Sequence, residues 1–107
     1  MADTSTISVR LIPQKQYVTP TTGSTVAVSG TGNTKLFLNP AGSLLALTVT
    51  FPSSPQDQDT LKVFSSQPIT TLTMNGGTVI GALTTMVVGT FAEYTYFSDT
   101  SSWARTG

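Results

Sequence analysis

Cysteine and histidine are both absent from the 107 residues, and only 9% of the chain is charged. Without cysteine there is no disulfide and no thiolate metal site, and the redox compartment is left open. Without either residue, a Ser-His-Asp triad, a thiol nucleophile and the usual zinc sites are excluded. The one glutamate, Glu93, stands far from the grouped acids Asp57 and Asp59. Paired carboxylates of the kind that hydrolyse glycosides are therefore not in view. Lys62 lies between Leu61 and Val63 with no nucleophile motif around it. Asp57 and Asp59, flanked by Gln56 and Gln58, supply too few oxygens for calcium and read as a solvated loop. No catalytic, metal-binding or cofactor-binding residue is expected, and the chain is not expected to be an enzyme.

Long apolar runs are missing too, so no membrane span is expected. The opening Met-Ala-Asp-Thr-Ser-Thr lacks the basic and then apolar pattern of a signal peptide. The net charge is +0, with Arg10, Lys15, Lys35, Lys62 and Arg105 dispersed along the chain and balanced by five acids. Nucleic-acid binding is not expected, because phosphate contacts need a basic patch. Net charge near zero also favours self-association. A helical period of useful length is the last absence, and almost no helix is expected.

What the chain does have is serine, threonine and short runs of alternating apolar residues, the composition of an all-β protein. Thr25–Ser29, Lys35–Leu38, Leu44–Phe51, Thr60–Ser65, Ile69–Met74 and Thr78–Ile80 read as strands between Gly, Pro and Asn turn signals. Leu44–Phe51 is the longest and most apolar, and suits a central core strand. Asn75-Gly76 is a strong two-residue hairpin signal. Strands spaced in this way predict a small antiparallel β-sandwich or barrel of about eight short strands.

Residues 1–24 read differently from the domain at 25–107. Thr6–Ile12 alternates, Pro13 and Pro20 interrupt, and residues 19–24 form a linker. This reads either as the first strand of the protein's own sheet or as an extended N-terminal arm whose Ile7, Val9, Arg10, Leu11 and Ile12 dock on another protein by strand addition. At the other end, Phe91–Phe97 and Ser102–Thr106 form a two-strand unit turning at Ser98–Ser101. Aromatic residues fall on both faces of Phe91–Phe97, and a second face with aromatics needs cover. Phe91, Tyr94, Tyr96 and Trp103 are the expected subunit interface. A sugar-stacking platform of Tyr94, Tyr96 and Trp103 is the alternative.

The run Phe51-Pro-x-x-Pro followed by Leu61-x-Val-Phe-Ser and Ile69-Thr-x-Leu-Thr, then Asn75–Gly81, Gly89-x-Phe-x-x-Tyr-x-Tyr and Trp103-x-Arg-x-Gly107, resembles a module of bacteriophage virion proteins. Similar modules occur at tail-fibre ends and in small head-decoration or head-fibre proteins. The resemblance covers about residues 44–107. It implies a trimeric β-structure on the outside of the virion, with no catalytic residues to carry over. A chain of this length without a shaft repeat fits a capsid decoration or cement protein. Its expected partners are its own copies and the major capsid protein. Its expected place is the outer capsid surface, after assembly in the host cytoplasm. A tail-fibre or tail-tip module that binds a receptor or host glycan is the alternative.

Overall fold

The computed structural model describes residues 14–29 and 32–107. They form nine strands: β1 (Gln14–Val18), β2 (Thr25–Ala27), β3 (Asn33–Leu38), β4 (Leu44–Thr50), β5 (Thr60–Ser65), β6 (Ile69–Asn75), β7 (Thr78–Ile80), β8 (Phe91–Phe97) and β9 (Ser102–Arg105). The all-β expectation holds, and no helix occurs among the described residues. Leu44–Thr50 is the middle strand of its sheet, and the terminal β8–β9 hairpin is antiparallel, as the sequence predicts.

The architecture is neither a sandwich nor a barrel of antiparallel hairpins. The strands from β1 to β6 alternate between two sheets, ordered β1-β3-β5 in one and β2-β4-β6 in the other, and all of these pairings are parallel. The described residues wind through three coils of a flattened β-solenoid. Gln14 pairs with Thr34 and Thr34 with Leu61, so corresponding positions are 20 and then 27 residues apart. These unequal coil lengths conceal the repeat in the sequence. β8 then continues the larger sheet by pairing antiparallel to β5, and β9 and β7 extend it to six strands with β7 as the far edge.

Each strand turns one set of side chains into the space between the sheets. Leu36, Leu38, Leu61, Val63 and Tyr94 from the larger sheet meet Val26, Leu47, Val49, Ile69 and Leu72 from the smaller, all buried. The cover expected over the second face of β8 comes from this other sheet of the same chain. Asn39 links the coils at one corner: its N–H donates to the Val18 carbonyl (2.8 Å), and its Oδ1 accepts from the Ser66 hydroxyl (2.6 Å).

Asn75-Gly76 is not a hairpin. β7 leaves β6 for the far edge of the other sheet, where it runs parallel to β9. The glycine is required by stacking instead. A Cβ on Gly76 would lie 2.8 Å from the backbone N and O of Phe51 in the coil beside it, and its φ of +99° is in the left-handed region. Residues 81–89, unreadable in sequence, lie partly along β6: Met86 and Ile69 exchange backbone hydrogen bonds. Gln14–Val18, assigned by sequence to the arm, is an integral sheet strand, and Pro20 beyond it is buried.

Candidate functional site

The outer face of the six-stranded sheet carries two parallel rows of side chains. Pairing aligns Tyr17 with Phe37, Phe37 with Phe64, and Phe64 with Phe91. Two residues along each strand, and so on the same face, Lys15 aligns with Lys35, Lys35 with Lys62, and Lys62 with Glu93. Neighbouring strands are about 4.8 Å apart, so each row is a continuous ladder. The cause is visible in the sequence once the coils are known. Lys15-Gln-Tyr17, Lys35-Leu-Phe37 and Lys62-Val-Phe64 are one Lys-x-aromatic triplet used three times, once per coil. In β8 the triplet runs backwards as Phe91-Ala-Glu93, as an antiparallel strand requires to keep the rows in line.

The aromatic row is an ordered surface. The Tyr17 and Phe37 ring centroids are 5.3 Å apart in an edge-on arrangement, and those of Phe37 and Phe64 are 5.2 Å apart. The Tyr17 hydroxyl accepts a 2.6 Å hydrogen bond from the Asn39 amide, which fixes the first ring. Lys62 Nζ lies 5.5 Å from the centroid of Phe91, a cation–π contact at the other end. Tyr17 and Phe91 remain 54% and 50% exposed, which is unusual for residues that a sheet could have covered. Beside this row is a shallow depression of about 110 Å³ lined by Asn33, Thr34, Lys35, Thr60, Lys62 and Glu93. Within it the Thr60 hydroxyl donates to Asn33 Oδ1 at 2.6 Å. Along the charged row three lysines stand against one carboxylate, and two of them, Lys35 and Lys62, line the depression with Glu93. In sequence the lysines are dispersed; in space they form a stripe.

The residues expected at a subunit interface divide. Phe91 is on the outer face and accessible. Tyr94 and Trp103 point inward and are buried within the chain itself, so neither has surface to offer a second copy or a sugar. Tyr96 also points inward and packs on Trp103 at 5.4 Å, and Phe51 packs on Trp103 at 5.1 Å and on Tyr94 at 5.4 Å. The Tyr94 hydroxyl donates to the Gly81 carbonyl (3.2 Å) and accepts from Leu83 N–H (3.0 Å), anchoring the irregular segment. Burial raises its pKa above the ordinary tyrosine value, against smaller opposing effects of the Leu83 N–H and the Arg105 charge. Trp103 Nε1 is buried with no hydrogen-bond partner, a cost that the surrounding aromatic packing must offset.

Asp57 and Asp59 serve the loops around them. Asp57 Oδ1 accepts from Ser98 N–H and Asp59 Oδ2 from Gln56 N–H, both at 2.9 Å. Among the described residues no three acids group to hold a metal ion, and no helix is long and apolar enough to cross a membrane. Ile7, Val9, Arg10, Leu11 and Ile12, the expected docking arm, lie outside the described residues.

No protein-family model matches the chain, and no curated protein does.

Proposed function

We propose that this chain is a structural protein of a bacteriophage virion surface, a capsid decoration, cement or head-fibre protein that works as a homotrimer and catalyses nothing. Its N-terminal end attaches to the shell and its lateral sheet faces outward. The observation that carries this reading is the strand edge at the N-terminal end of the solenoid. The larger sheet runs on from β5 through β8 and β9 to its far edge at β7. At the N-terminal end, β1 pairs only with β3 and β2 only with β4 among the described residues. The stretch from Ile7 to Ile12 leads directly into that edge. An unpaired strand edge is a template for strand addition, which joins two proteins through main-chain hydrogen bonds. Many copies on a lattice then turn modest single contacts into firm attachment.

The test is removal of residues 1–13, which leaves every described strand in place. The truncated protein should fail to co-sediment with undecorated capsids that the full chain binds. Co-sedimentation equal to that of the full chain would overturn the attachment. Light scattering of the purified protein should give about three times the chain mass of 11.2 kDa. A mass of one chain at micromolar concentration would overturn the trimer.

A further inference from the structure

We propose that the Lys-x-aromatic ladder on the outer face is a binding site for an extended acidic polysaccharide. It is distinct from the N-terminal attachment and does not depend on it. Three observations point to this ligand. The first is the shape of the site: the ladder is a linear, rigid, shallow surface crossing four strands, suited to a chain molecule rather than a compact ligand. Its rungs recur at about 4.8 Å, close to the rise of one sugar in an extended polysaccharide. The second is its charge. Lys15, Lys35 and Lys62 stand in register, and like charges directly opposite each other across strands destabilise a sheet. An arrangement that costs the free protein stability is relieved by an anionic partner. The same repulsion disfavours face-to-face packing of two copies through this surface.

The third observation is the chemistry beside the lysines. The aromatic row offers apolar ring surface to the C–H faces of sugars, with Tyr17 already held by Asn39. The depression adds Asn33, Thr60 and Glu93, a mixture of donors and acceptors that suits hydroxyl groups. Hydrogen bonding favours a glycan over a nucleic acid here. Asn33, Thr60 and Glu93 offer donors and acceptors to hydroxyl groups, which a glycan carries on every ring and a DNA strand lacks along its length. Sugar carboxylates or sulfates would lie on the lysine row, with the sugar rings over Tyr17, Phe37, Phe64 and Phe91.

The experiment is calorimetric titration of the full chain with oligomannuronate and with dextran sulfate. A neutral cello-oligosaccharide and poly(dT) serve as comparators. At least one acidic glycan should bind, more tightly than the neutral one, with affinity falling as salt rises. The double substitution Lys15→Ala with Lys35→Ala should weaken binding roughly tenfold at low salt and flatten the salt dependence. Tyr17→Ala with Phe91→Ala should weaken it while leaving the salt dependence in place. Each pair is on the exposed face, so a thermal midpoint no lower than that of the unaltered chain shows that the fold persists. Binding to neither acidic glycan, or binding indifferent to both pairs, would overturn the site. Tighter binding to poly(dT) would reassign it to single-stranded nucleic acid. The single changes Lys35→Ala and Phe91→Ala, which lie outside the β1 edge, should weaken glycan binding and leave capsid co-sedimentation unchanged, which separates a failure here from a failure of the attachment.

Discussion

Tyr94 shows how one residue can belong to the sequence pattern and still be assigned the wrong role. Its place in the alternation of β8 is plain, and so is the need for cover over its face. What covers it is the smaller sheet and residues 81–83, not a second subunit. Its hydroxyl fastens a segment that has little other regular structure. Tyr94→Phe should leave Leu83 N–H and the Gly81 carbonyl unpaired and lower stability by about 1–2 kcal/mol. The pH dependence follows from the sign of the shift. Burial holds the folded pKa above the unfolded value of about 10. The contribution of the neutral phenol is therefore complete below about pH 10 and is lost as pH rises through the folded pKa. Urea unfolding of the native chain across that range should show the decline, and Tyr94→Phe should show less of it. Equal alkaline losses in both would sink the assignment.

Among the elements, β1 is the strand that sequence reading misplaced. Pro13 and Pro20 bracket it and suggest an arm, yet five residues between them pair in register with β3. Its Gln16 occupies the inward position that Leu36 and Val63 hold in the next two coils. The Gln16 amide donates to the Ala27 carbonyl (2.9 Å) and accepts from Ser29 N–H (3.0 Å), tying β1 to the opposite sheet across the end of the core. A terminal solenoid coil needs a polar finish of this kind. Gln16→Leu would continue the apolar column but strand both backbone groups. It should lower stability by about 1 kcal/mol and the thermal midpoint by roughly 5 °C. An unchanged midpoint would show that Gln16 does not finish the coil.

Across the whole molecule, a solenoid couples each coil chiefly to its neighbours, so protection should be graded rather than uniform. Hydrogen exchange should be slowest in β3, β4, β5, β8 and β9, which are paired on both sides, and faster in β1, β2, β6 and β7 at the sheet edges. Uniform protection from β1 to β9 would indicate a single cooperative block. This scale is also where the proposed ladder exists. Lysines 20 and 27 residues apart are strangers along the chain and adjacent across the sheet.

The sequence by itself determined the strand content, the buried positions Leu47, Val49 and Phe51, though not Leu44, which is buried where alternation would bury Leu45, and the final hairpin with its turn. These depend on alternation and turn chemistry within a few residues. It also carried the Lys-x-aromatic triplet three times, without any local sign that the copies meet. Tertiary structure decided whether each strand pairs with its sequence neighbour or crosses to the other sheet. Alternation is the same for parallel and antiparallel partners, and Asn75-Gly76 meets the needs of a coil crossing as well as those of a hairpin. Only the stacking of unequal coils brings the triplets into one face, because register between distant strands is set by how the whole core packs.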